Sequence, residues 1–315
     1  MLMFLVLILF MLFPDKTVAC AKEVLGVWYT AVVPSLLPFF IACKLLTVTK
    51  EADKLRKRLS PLFRFLCLPE ALAYPFFMSL LCGTPTGARI LGTWSLPDNA
   101  KTDYTAVCCC PGPLFVIGTV GVSMLHSAEK GYELCLISVC ASLLTLFFTP
   151  LAAVNVQDEC ADGSAAEAVW DSLKAILLIA GTMLLFSLPT KILFSLLPDV
   201  PPALSGFLTG LGEFTGGINI LSGMTGSLPL IAFLLSFGGG SVIFQCLSFV
   251  PGTKALPFVL RRLEAGMFAF LLCFLAEKTV WAVPVSITVI LIAAKTVHRR
   301  KKMKRIQAAA STVTY

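Results

Sequence analysis

Apolar residues fill most of this chain in blocks close to the twenty or so that span a bilayer, separated by short polar stretches. Residues 2–13 are uniformly apolar. With no basic residues ahead of them they read as a short, uncleaved first helix rather than a leader. A second helix follows over 24–48, with kinks expected at Pro34 and Pro38. Residues 50–64 carry Lys50, Lys54, Arg56, Lys57, Arg58 and Arg64 and form an amphipathic connector on the cytoplasmic side. Further apolar segments cover 69–95, 104–125, 131–153, 170–194, 200–222, 227–250, 263–276 and 280–294. Lys254, Arg261 and Arg262 mark a second cytoplasmic edge, and the run from Arg299 to Arg305 marks a third.

Four apolar segments are interrupted. Gly83-Thr84-Pro85-Thr86-Gly87-Ala88-Arg89 cannot continue an ordinary helix, because proline removes a donor and glycine loosens the backbone. Similar breaks fall at Pro111-Gly112-Pro113, at Glu213 to Gly217, and at Phe237-Gly238-Gly239-Gly240-Ser241. At membrane depth such backbone is tolerated only inside protein or beside a wet cavity. The breaks recur in order. GTPTGARIL (83–91) aligns with EFTGGINIL (213–221), pairing Gly87 with Gly217 and Arg89 with Asn219, and PGPLFVIG (111–118) aligns with the glycine-rich break at 237–244. Paired interrupted segments in two halves point to the binding site of a secondary transporter.

Composition adds weight to the membrane reading. The 315 residues are 57% hydrophobic and 14% charged, against about 25% charged in soluble domains. The expected fold is an all-α polytopic membrane protein with two repeats, about 8 spans and two re-entrant hairpins. Its organisation is a helix at 1–23, a first repeat at 24–154, a polar linker at 155–168, a second repeat at 169–278, a last helix at 279–298 and a basic cytoplasmic tail at 299–315. If 69–95 is a hairpin and 104–125 a crossing, the linker is cytoplasmic and the halves are inverted. If both cross, or both turn back, the halves are parallel. The acidic linker favours the parallel arrangement and the short half-helices around 83–91 favour the inverted one, which we adopt. The net charge of +7 gathers at helix ends, so no nucleic-acid partner is expected. Twelve cysteines sit mostly in apolar runs, and only two histidines are present, so neither metal nor cofactor is expected.

The motifs resemble the YlbJ-type sporulation integral membrane proteins of the nucleoside-recognition, or gate-domain, superfamily. The residues carrying the likeness are Trp28, Val33 to Phe40, Gly83 to Ile90, Gly112 to Gly121 and Phe237 to Gln245. The resemblance implies a role in endospore formation, transport of dipicolinic acid from mother cell toward forespore, and distant kinship to concentrative nucleoside transporters with paired hairpins. It places the protein in the bacterial cell membrane or the outer forespore membrane.

Dipicolinate is a flat dicarboxylate, and helix N-termini at the breaks supply positive potential for it. The candidate binding residues are Thr84, Thr86, Gly87, Arg89, Gly112, Thr215, Gly217, Asn219, Gly239, Ser241 and Gln245. Arg89 offers a planar fork for a carboxylate, and Phe115 or Phe237 a face for the ring. Glu213 is the candidate for proton or cation coupling, or a partner of Arg89 in the empty site. A nucleoside carrier on the same scaffold, or a non-transporting scaffold of spore assembly, are the alternatives. No base–nucleophile constellation suggests an enzyme.

Overall fold

The computed structural model describes residues 2–48, 51–152, 154, 164–197, 199–279 and 282–312. Among them the chain is helical, with no strand. The elements are α1 (Leu2–Leu12), α2 (Pro14–Val27), a π-helical turn (Trp28–Val32), α3 (Val33–Val48), α4 (Glu51–Phe65), α5 (Ala73–Cys82), α6 (Thr86–Leu91), α7 (Asp98–Val107), a π-helical segment (Phe115–Met124), α8 (Ala128–Phe148), α9 (Ala165–Ser195), α10 (Pro202–Gly212), α11 (Phe214–Ser222), α12 (Leu228–Phe237), α13 (Gly239–Phe249), α14 (Ala255–Lys278) and α15 (Ala282–Thr312). Of the polar linker, residues 155–163 lie outside the described set, as do the tail side chains beyond Arg300.

Among the described residues, five helices are long and apolar enough to cross a membrane: Pro14–Leu46, Ala128–Phe148, Ala165–Ser195, Leu228–Phe249 and Ala282–Arg300. Other segments expected to cross are interrupted, as at 108–114, or carry charges, as α14 does at Arg261, Arg262 and Glu264. The helix expected at 24–48 in fact starts at Pro14 and runs on through the π turn. That turn lies just before Pro34, whose ring crowds the preceding turn and which brings no N–H. The wider turn absorbs the misfit, with the Val33 N–H reaching back five residues to the Trp28 carbonyl. The Trp28 indole N–H donates to the Ile176 carbonyl at 3.1 Å, fixing α2 and α3 to α9.

The basic clusters gather at one end of the bundle. Arg299 donates to the carbonyls of Phe147 (2.9 Å) and Thr149 (3.1 Å) at the end of α8, and Arg300 donates to that of Phe65 at the end of α4. Arg261 pairs with Asp103 at 3.3 Å, and the Tyr104 hydroxyl donates to the Ala152 carbonyl at 2.7 Å. Lys44, near the end of α3, pairs with Asp171, near the start of α9, at 3.1 Å. The opposite ends of α2 and α9 are joined by Lys16 with Ser195 (3.1 Å) and by the Lys191–Glu23 ion pair.

Two close helix pairs turn back on themselves. In α10 and α11 the approach depends on glycine: a Cβ on Gly217 would strike the backbone of Gly210 and come 2.6 Å from the Gly206 carbonyl oxygen. In α5 and α6 the turn is at Gly83, whose φ of +79° and contact with Gly112 both demand glycine. A Cβ there would lie 2.7 Å from the Gly112 nitrogen.

Candidate functional site

All four breaks meet at one hollow. Its wall includes Thr84 from the first hairpin turn, Pro111 and Gly112 from the second break, Glu213, Phe214 and Thr215 from the third, and Gly238 and Ser241 from the fourth. Val32 and Leu36 close it from α3 and the turn before it, and Ile179 and Met183 from α9. Counted with its mouth, the hollow holds about 590 Å³ of space free of atoms. Both halves of the chain therefore build it.

Glu213 is 1% exposed and forms the N-cap of α11. One carboxylate oxygen accepts the Thr215 N–H at 2.9 Å and the other the Gly216 N–H at 2.8 Å. These are two of the donors that a helix start leaves unpaired. The start of α13 differs. Gly238 and Gly239 both have positive φ, +88° and +70°, no side chain caps the helix, and its start places Gly238 and Ser241 in the wall of the hollow. The Ser241 hydroxyl is buried and has no hydrogen-bond partner. Gln245, one turn further on, donates its amide to the Thr182 hydroxyl at 2.6 Å. Phe115 and Phe214 form a tilted aromatic pair in the wall, with centroids 5.5 Å apart.

Arg262 also lines the hollow and is only 3% exposed. The reading of Arg262 as a marker of the cytoplasmic edge is therefore corrected; its neighbour Arg261 is partly exposed and pairs with Asp103 and Glu264. The guanidinium donates to the Ala106 carbonyl at 3.2 Å, to the Phe237 carbonyl at 3.3 Å and to the Ser236 carbonyl. These acceptors lie at the C-terminal ends of α7 and α12, where the breaks leave carbonyls without intrahelical partners. Two negative helix ends thus stabilise a buried cation that has no carboxylate within ion-pair distance among the described residues. A guanidinium has five N–H donors, so two remain beyond those three bonds.

Of the residues singled out in the sequence, Thr84, Gly112, Phe115, Glu213, Thr215, Ser241 and Gln245 line the hollow. The others do not. Gly87 packs on Cys108, Gly217 on Gly210, and Gly239 on the carbonyls of Gly210 and Gly212. Thr86 is buried with an unpartnered hydroxyl. Phe237 stacks on Phe233. Asn219 is exposed on the outer face of α11. Arg89 lies away from the hollow, with its guanidinium 5.1 Å from the Phe40 ring centre and donating to the Asp171 carbonyl at 3.3 Å. It is a strut between the first hairpin and the start of α9, the arginine that lines the hollow is Arg262, and no Arg89–Glu213 pair forms. Arg89→Ala is expected to lower stability by roughly 1–2 kcal/mol through the lost cation–π contact. The check is the melting temperature of the purified variant in detergent against that of the wild type.

Arg262 has a signal in the sequence. Phe258, Ala265, Ala269, Leu272 and Ala276 are buried at spacings of three and four residues, and Arg262 falls on that stripe whereas Arg261 does not.

A bundle of apolar helices, interrupted toward a hollow that both halves share, defines an integral membrane protein. Along its length the chain is similar to the sporulation integral membrane protein YlbJ of Bacillus subtilis (strain 168), with 25% identity covering 86% of this chain and 81% of that protein. The resemblance carried by the motifs is thus present over most of the sequence. No family profile matches the chain, and no solved structure matches it.

Proposed function

We propose that the chain is a secondary transporter of a small anionic solute, with dipicolinic acid in endospore formation as the best-supported substrate. The observation that carries this reading is the convergence of four breaks on one hollow that contains a buried arginine and an uncapped helix start. Both features favour a carboxylate. The apolar remainder of the wall, with Phe115 and Phe214, suits a flat ring. The similarity to a sporulation integral membrane protein supports the setting.

We read the halves as inverted repeats with seven crossings and two re-entrant hairpins. In each half the hairpin turn packs glycine to glycine against the break of the same half, Gly83 on Gly112 and Gly212 against Gly239. The first hairpin opens toward the basic end and the second toward the other. The last residues before the linker and the first turns after it lie at the basic end, beside Arg299 and Lys44, which favours a cytoplasmic linker.

Glu213 couples transport to protons in this reading. A dianion beside an ionised carboxylate meets a like charge, whereas a protonated Glu213 removes the repulsion and still accepts an amide N–H. Labelled dipicolinate uptake into vesicles should rise when a proton gradient runs in the direction of substrate movement. Glu213→Gln, which keeps a cap acceptor but cannot titrate, should abolish that response. An unchanged response would remove the coupling role, and the lack of saturable uptake under either condition would remove the transport reading. Gln245 beside Glu213 favours a second reading, a nucleoside carrier. In that case uridine, not dipicolinate, would compete for uptake.

A further inference from the structure

Two thiols from opposite halves lie side by side in the wall of the hollow. Cys109 belongs to the break after α7 and Cys246 to α13, and their sulfur atoms are 3.7 Å apart. Both are buried, at 1% and 0% exposure. Cys109 faces the hollow next to Arg262, and Cys246 stands behind it. Cys109 also sits on irregular backbone between α7 and the π-helical segment, so its sulfur is not carried on a rigid helix, and the bond requires the two sulfurs to close to about 2.05 Å.

We propose that Cys109 and Cys246 form an oxidisable dithiol whose disulfide joins the two halves behind the wall of the hollow. The oxidant is a hydroperoxide small enough to enter, with hydrogen peroxide the simplest. The Cys109 thiolate attacks one peroxide oxygen, the O–O bond breaks, and the sulfur becomes a sulfenic acid. The departing hydroxide takes up the proton released by Cys109 and becomes water. The Cys246 sulfur then attacks the sulfenic sulfur. The S–S bond forms, the S–O bond breaks, and the second hydroxide leaves as water with the Cys246 proton. Two electrons pass from the two sulfurs to the peroxide.

The test uses the full-length protein purified in detergent, treated with hydrogen peroxide, then denatured, alkylated and digested. Mass spectrometry should find a peptide pair bridged between the 108–110 segment and Cys246, with fragmentation assigning the bridge to Cys109. Its yield should rise at least about tenfold over untreated protein and vanish after dithiothreitol. In Cys246→Ser the bridge should be lost and Cys109 recovered as a dimedone-trapped sulfenic acid. Complete alkylation of both cysteines after peroxide, or a bridge from Cys109 to another cysteine, would overturn the proposal. If the serine variant does not fold, the wild-type peptide map alone decides. The readout needs no transport, so its failure and that of dipicolinate uptake are separate results. If both hold, the bridged form should carry no dipicolinate until it is reduced.

Discussion

Replacing Arg262 with alanine is expected to remove most of the folded protein. Three buried carbonyls at the ends of α7 and α12 lose their donor, and two helix ends lose the charge that faces them. Each buried acceptor stripped of its donor costs about 1–3 kcal/mol, so three together reach several kcal/mol. That is a large part of the roughly 5–15 kcal/mol that separates a typical native domain from its unfolded state. Lysine should rescue only in part, because a single ammonium cannot reach three carbonyls spread across two helix ends. The check is the monodisperse fraction and melting temperature in detergent: wild type highest, Arg262→Lys intermediate, Arg262→Ala lowest. Equal stability of the alanine variant would mean that the two breaks hold themselves together without this side chain.

Gly217→Ala is expected to open the second hairpin. A single Cβ at this position meets backbone atoms of Gly210 and Gly206, which no side-chain rotation can move. Helices α10 and α11 must separate, and overpacking of this kind costs about 1–3 kcal/mol, occasionally more. The functional effect should exceed the loss of stability. Glu213 sits at the turn that the same two helices hold, so separating them shifts the cap and the hollow together. Dipicolinate uptake should fall by an order of magnitude or more while a substantial folded fraction remains. A Cβ added at the nearby Gly223 would meet nothing within 4 Å, and Gly223→Ala is the matched control that should keep full uptake.

Much of this arrangement is legible in the sequence because breaks in apolar helices are conspicuous. Gly83, Pro111, Glu213 and Gly238 interrupt otherwise continuous hydrophobic runs, and each falls at a break between helices in the structure. Which polar residues near a break face the hollow is harder to read. Arg89 and Asn219 align when the two sequence halves are laid together, yet one lies against Phe40 and the other on the outside of α11. Helices α6 and α11 are each held by one glycine face, and positions two residues beyond Gly87 and Gly217 rotate away from it. Arg262 is hard to single out because Arg261 beside it is partly exposed and pairs with Asp103 and Glu264. Only the three- and four-residue spacing of its buried neighbours separates the two. The Cys109–Cys246 approach joins residues 137 positions apart, and no local pattern announces it.

The most direct test of the shared hollow as an anion site is equilibrium binding of labelled dipicolinate to the purified protein and to Ser241→Leu. The serine hydroxyl makes no hydrogen bond, so leucine fills the hollow without removing an interaction. Saturable binding by the wild type, weakened at least about tenfold in a variant of unchanged melting temperature, is the predicted result. Saturable binding that the leucine leaves untouched, or no saturable binding to the folded wild-type protein, would contradict it.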